Sequence, residues 1–515
     1  MPGPTTVAVA TPEHHATDAA VAAAEAGGNA LDAALAAAVA LAVTYPHNCG
    51  VGGDLFAVVR FPDGRAVSVN ASGPAALAAD AAVLRDRFGR MPHDGVESIT
   101  VPGAVAGWGS LHALGAKLGW AAAFDHAIGH ARAGVAVTPS LKWALADAAP
   151  AFEADAGMAA VFGGSPGLGA TVRQPALAAT LERIAAHGWR ELYEGETGRR
   201  LASFLQASGS RLDRRDLAGF AVEETPPLTG RFRGLRLLTS PPNASGVLLL
   251  QALAALEEQG DHGDWLGADA GRLAIVLRAG AEQRSRMLAD PRTHPFDAGA
   301  WLDPLRLAEL GTEAPRPDPA GAGAPPTGDT VAVVAADGDG LAVSLIQSLF
   351  SSMGSRVLDS ETGVLLHNRG ALFTLEPGHP NELAGGKRPA HTLLPVVVER
   401  DGALAGVLGT MGGNAHAQIL TQVLLELLSG SSAADAVAAP RWIVGALDPG
   451  APDTKVTVES AVSSAARRSL AAAGLAPASV EWPSEEVGHA QAVWHDGETV
   501  TAGSDPRADG RPLAG

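Results

Sequence analysis

The chain has 515 residues, 47% of them hydrophobic, enough to bury one large core or two ordinary ones without staples. Its single cysteine, Cys49, excludes intrachain disulfides and thiolate metal clusters and suits a reducing compartment. A formal net charge of −18 with scattered basic residues lacks the electrostatic footprint of a nucleic-acid binder, so small molecules are the expected partners.

At the N-terminus, MPGPTTVAVATPEHHATDAA has neither the basic start nor the continuous apolar stretch of a signal peptide, so a cytoplasmic location is expected. His14-His15 reads as a surface loop without metal, since adjacent histidines are expected to point apart and no further ligands accompany them. Helices are predicted over Thr17–Gly27 and Asn29–Val43. The apolar run Leu31–Val43 is too short for a bilayer and carries Asp32, so it reads as a buried helix and no membrane partner is expected. Cys49, in HNCGVGG, reads as a buried packing residue. Strands follow at Leu55–Phe61 and Ala66–Val69, joined by Asp63-Gly64, and then helices at Ala104–Leu118 and Gln174–Ala186. Between those helices GGSPG (Gly163–Gly167) imitates a serine-hydrolase elbow, but Pro166 cannot supply the backbone N–H that the elbow needs. A strand at Leu235–Thr239 and helices at Gly246–Glu258 and Gly271–Ala289 complete the first two thirds.

The run PRPDPAGAGAPPTGD (Pro315–Asp329) has no apolar period and reads as a mobile segment, which on composition alone is an interdomain linker. Beyond it come strands at Thr330–Ala335, Leu341–Ser348, Leu393–Glu399, Leu404–Gly409, Lys455–Val458, Ala490–Trp494 and Val500–Gly503, with one helix at Ala417–Leu428. Asp-Gly turns at 339–340, 401–402 and 496–497 join antiparallel strands; DGDG at 337–340 is such a turn and lacks the other positions of a calcium loop. Hairpins covered by helices predict an α+β layer architecture rather than a doubly wound parallel sheet.

Thr330 matters chemically if the bond before it is cut. An N-terminal threonine carries a hydroxyl nucleophile and an α-amine whose pKa of about 7.7–8.0 lets it act as the base. In the precursor the same hydroxyl can attack the Asp329 carbonyl, and Gly328 permits the strained backbone that this attack requires.

The surroundings of Thr330 carry a resemblance. GGNALDAALAAAVALAVTYPHNCGVGGDLF (Gly27–Phe56), VPGAVAGW (Val101–Trp108), SPPNASG (Ser240–Gly246), and then SLIQS, GVLLHNRG, GKRPAHTLLP, GTMGGNAHAQ, GHAQAV and GSDPRADG resemble, in order, the blocks of the γ-glutamyltransferase family of N-terminal nucleophile hydrolases. The resemblance implies a four-layer αββα sandwich and cleavage between Asp329 and Thr330. The large chain, 1–329, and the small chain, 330–515, would stay associated as one composite domain, alone or as a dimer of heterodimers. It implies Thr330 as nucleophile, Ser348 as the hydroxyl that assists it, and the backbone N–H groups of Gly412 and Gly413 as the oxyanion hole. No cofactor is implied.

The chain departs from the family's pattern at the head-group pocket. Where γ-glutamyl enzymes carry a carboxylate-clamping arginine, the stretch Val69–Leu77 has none and Ser72 stands nearest. Where they bind the α-ammonium with Gln and Asp, Arg369 and Leu372 stand, and His391 and Thr392 replace a serine pair. A cation repels an ammonium ion and an apolar residue cannot receive one. The pattern resembles the family's atypical branch, and Arg369 is expected either to bind a substrate carboxylate, with His391, Thr392, Phe350 and Ser72 beside it, or to pair with a protein carboxylate such as Glu376. The expected function is hydrolysis or acyl transfer on a small amide. A genuine glutathione hydrolase, a C–C bond hydrolase using the same threonine, and a non-catalytic binding protein remain the alternatives.

Overall fold

The structure is a computed structural model that describes residues 7–164, 166–260, 263–309, 328–445, 455–497 and 499–513. The predicted mobile segment over 315–327 and Ser165 of the GGSPG motif lie outside these residues.

In chain order the main strands are β1 (Val7–Ala10), β2 (Asp54–Arg60), β3 (Ala66–Ala71), β4 (Glu223–Thr225), β5 (Leu228–Phe232), β6 (Leu235–Thr239), β7 (Gly328–Asp337), β8 (Ala342–Ser351), β9 (Val396–Arg400), β10 (Ala403–Met411), β11 (His489–His495) and β12 (Val500–Ser504). They form two six-stranded sheets, ordered β1-β7-β8-β2-β3-β4 and β12-β11-β10-β9-β6-β5. Neighbours in both sheets are antiparallel.

Side-chain alternation along β7 shows why the sheets stack. Val331, Val333 and Ala335 point into a helical core, whereas Val334 and Ala336 meet Leu238, Val397, Val407 and Val493 of the other sheet. Both faces are therefore apolar, and β8 is buried along its whole length. Helices α1 (His14–Glu25) and α2 (Ala30–Thr44) cover the first sheet; α2 is buried throughout and starts at a capping box between Asn29 and Asp32. Helices α3 (Gly246–Glu258), α4 (Ala270–Met287) and α5 (His416–Leu428) lie on the outer side of the second sheet, where Leu420, Val423 and Leu424 pack with Leu408 and Ala492. The result is the expected αββα sandwich.

Each sheet draws strands from both sides of the Asp329–Thr330 bond, which itself lies within β7. Strands from the two sides of that bond pair with each other in both sheets. No helix among the described residues is long and apolar enough to cross a membrane.

The predicted helix Ala104–Leu118 ends at Ala113, and strand β1 and the helices Asp125–Ala133 and Glu196–Ala207 had no counterpart among the predicted elements. The expectation for His14-His15 is corrected. Glu13 accepts the N–H groups of His15 and Ala16, so the pair opens α1 instead of a loop, and the two rings lie 4.0 Å apart.

Candidate active site

Thr330 is the third residue of β7 and is 1% exposed. Between Gln347 and Phe350 the β7–β8 register shifts, and this bulge brings the Ser348 side chain under Thr330. Ser348 Oγ accepts from Thr330 Oγ1 at 3.1 Å and from the Phe350 N–H at 2.8 Å, and donates to the Asp329 carbonyl at 2.7 Å. One hydroxyl thus bridges the candidate nucleophile and the carbonyl it must attack. Phe350 takes φ +80°, a left-handed conformation costly for an aromatic residue and held here by the bulge.

Strand β10 ends at Met411, and Gly412 and Gly413 follow with φ +155° and +50° before the chain enters α5. Residues with side chains seldom adopt such angles. The Gly412 and Gly413 N–H groups have no hydrogen-bond partner among the described residues. Their turn packs against β7 and leads into the N-terminus of α5, whose dipole favours negative charge. Gly488 allows the close packing, because a Cβ there would lie 2.4 Å from the Met411 oxygen.

Behind Ser348 lies a residue to which sequence reasoning assigned no role. Asp54 pairs with Ser348 in register, and the Gly52-Gly53 pair before it lets β2 approach, since a Cβ at Gly53 would fall 2.6 Å from the Ser348 carbonyl oxygen. Asp54 Oδ2 accepts from Arg369 Nε at 3.1 Å and His391 Nε2 at 3.0 Å and lies 3.2 Å from His367 Nδ1; Oδ1 accepts the Gly73 N–H at 3.3 Å. Asp54, Arg369, His391 and His367 are fully buried. Burial alone would raise the Asp54 carboxyl, yet the donors around it hold it well below the usual carboxylate range. Burial, reinforced by Arg369, pushes the His391 imidazole down to about 3, so it is neutral. Its Nδ1 accepts the Leu393 N–H at 3.3 Å, which leaves the proton on Nε2 for Asp54. Burial draws Arg369 down to about 10, with Asp54 opposing, and it stays charged at neutral pH.

The carboxylate partner of Arg369 is therefore Asp54, not Glu376. Arg369 Nη1 also donates to Thr392 Oγ1 at 3.2 Å, and its guanidinium carbon lies 4.7 Å from the centre of the Phe350 ring. The structure thus joins Thr330, Ser348, Phe350, Arg369, His391 and Thr392 through direct contacts or through Asp54. Ser72 belongs to a neighbouring network, donating to Asn70 Oδ1 at 2.7 Å and accepting from Asn243 Nδ2 at 3.2 Å, and makes no hydrogen bond to this group. A hydroxyl beside a carbonyl, a second hydroxyl bridging them, and two free backbone donors at a helix start form an arrangement suited to acyl transfer.

Comparison with known proteins gives the same direction. Residues 16–515 match the family model described as Gamma-glutamyltranspeptidase. The chain is 33% identical to the oxamate amidohydrolase proenzyme of Klebsiella pneumoniae subsp. pneumoniae, over 97% of this chain and 96% of that protein. It is 31% identical to the glutathione hydrolase-like YwrD proenzyme of Bacillus subtilis, over 85% of each. The crystal structure of cephalosporin acylase from Bacillus halodurans superposes with a TM-score of 0.89 at 30% identity, covering 99% of this chain and 96% of that one.

Proposed function

The chain belongs to the gamma-glutamyltranspeptidase family, and from that premise we propose that it is a self-cleaving amide hydrolase whose nucleophile is Thr330 and whose substrate is a small amide bearing a carboxylate. The observation that carries this reading is the Ser348 hydroxyl bonded to both Thr330 Oγ1 and the Asp329 carbonyl.

In maturation Thr330 Oγ1 attacks the Asp329 carbonyl carbon while its proton passes through Ser348 to the carbonyl oxygen. Collapse of the adduct breaks the C–N bond, the Thr330 nitrogen takes the proton, and an Asp329–Thr330 ester forms. Water hydrolyses the ester and frees the α-amine. In turnover that amine removes the Thr330 hydroxyl proton as Oγ1 attacks the substrate amide and then gives the proton to the departing amine. The N–H groups of Gly412 and Gly413 stabilise the oxyanion, and water attacking the acyl-threonine ester returns the enzyme.

Two relatives frame the substrate. One is named for oxamate, an amide with a carboxylate next to the reacting carbonyl, and another for acylase activity. A γ-glutamyl head group would bring its ammonium ion towards Arg369, which opposes it. A carboxylate-bearing amide carries the charge that Arg369 attracts.

Two outcomes test this reading. Ser348→Ala removes the bridge, and the full-length band should convert about 10²-fold more slowly than wild type on a denaturing gel. Conversion at the wild-type rate would contradict the role of Ser348. The mature enzyme should also show kcat/KM rising with pH to a plateau above about 7.7–8.0, because only the unprotonated Thr330 amine is a base. A flat profile from about pH 6 to about pH 9 would contradict the amine's role.

A further inference from the structure

Arg284 lies in the last turn of α4, and its Nε donates to Ser245 Oγ at 3.3 Å, which in turn donates to the His391 carbonyl at 2.5 Å. This chain of contacts ties Arg284 to the His391 backbone, and burial together with the nearby Arg369 charge draws its guanidinium down to about 10. No carboxylate among the described residues pairs with Arg284; the nearby Glu282 pairs with Arg286. Arg284 Nη2 is enclosed and has no hydrogen-bond partner, and the same is true of Arg369 Nη2. His416, which opens α5 beside the Gly412-Gly413 turn, is 1% exposed, and neither of its ring nitrogens has a partner. Enclosed guanidinium edges without a counter-charge are costly unless an anion joins them.

The charge balance says which anion. Burial pushes both His391 and His416 down to about 3, so both are neutral. Asp54 is already shared by Arg369, His391 and His367, so no further carboxylate among the described residues faces the free edges of Arg284 and Arg369. A carboxylate matches guanidinium edges of this kind, whereas a phosphate dianion would bring more negative charge towards Asp54. Arg369 has no exposed surface, so a group reaching it occupies the enclosed end of the site. The leaving amine must depart towards solvent, and the enclosed end therefore holds the acyl part.

We propose that Arg284 is a specificity-determining residue: with the free edge of Arg369 it forms a two-guanidinium subsite for a carboxylate on the acyl part of the substrate, as in the monoamide of a short dicarboxylic acid. The inference deepens the Thr330 reading and rests on it for the position of the reacting carbonyl, but binding at the subsite is measurable without turnover.

The test uses mature wild-type, Arg284→Gln and Arg284→Lys proteins with two readouts. The first is kcat/KM on succinamate against butyramide, which differ in the carboxylate. The second is the thermal shift caused by oxalate, malonate or succinate. The succinamate preference should fall at least ~30-fold in Arg284→Gln, chiefly through KM, with partial recovery in Arg284→Lys. Wild type should be stabilised by at least one of the dicarboxylates and Arg284→Gln by none. An unchanged preference, equal loss on both amides, or no dicarboxylate shift in wild type would overturn the proposal. If wild type cleaves neither amide but shows an Arg284-dependent shift, the subsite stands and the hydrolase reading falls. Should Arg284→Gln fail to mature, Arg284→Lys decides, because it must bind the dicarboxylates more weakly than wild type.

Discussion

Thr330→Ala should remain a single band near 52 kDa however long it is incubated, while wild type resolves into bands of about 33 and 19 kDa at the chain's mean residue mass. The substitution removes the hydroxyl that donates to Ser348, and Ser348, itself donating to the Asp329 carbonyl, cannot take over the attack without losing the bond that polarises that carbonyl. Amide hydrolysis should fall to background in the same protein, since nucleophile and base are lost together. Thr330→Ser keeps the hydroxyl and should still mature. A cleaved Thr330→Ala protein would assign the reaction to another residue.

Asp54→Asn should cost about 3–5 kcal/mol, the range for removing one partner of a buried ion pair. The carboxylate is the counter-charge of a fully buried Arg369 and the acceptor for His391, and an amide neither balances the first nor offers the second an anionic oxygen. Denaturant titration in the Thr330→Ala background, where the chain stays in one piece, measures the loss. Because the folded-state carboxyl is held below its ordinary value, its contribution is complete above the unfolded pKa and is lost as pH falls through the folded one. The gap between the two proteins should thus be constant above about pH 4 and narrow only below it. A gap under about 1 kcal/mol at neutral pH would show that Asp54 is not the organising charge.

Much of this architecture was legible in the chain itself. The Asp339-Gly340 turn between the apolar runs Thr330–Ala335 and Leu341–Ser348 identified the central hairpin, and α2 was visible as an alanine-rich run behind Asn29. Thr330 stood out because a loose segment ended in a strand that a threonine opened. What escaped was contact across distance: Arg369 meets Asp54 over 315 positions, and no local pattern could prefer Asp54 to Glu376. The signal for Asp54 was a charged residue opening an apolar strand directly after two glycines, which reads as a turn until the glycines are seen admitting the Ser348 backbone. Arg284 was hidden by its own helix, where it resembles an ordinary basic residue near a C-terminus. That no carboxylate among the described residues pairs with it becomes visible only once α4 is placed beside Ser245.

The central claim is that this chain makes its own N-terminal nucleophile, and the most direct measurement is the N-terminal sequence of the smaller chain in purified wild-type protein. The account predicts Thr-Val-Ala-Val-Val, beginning at Thr330. A chain beginning at any other residue, or one uncut polypeptide of 515 residues, would contradict it.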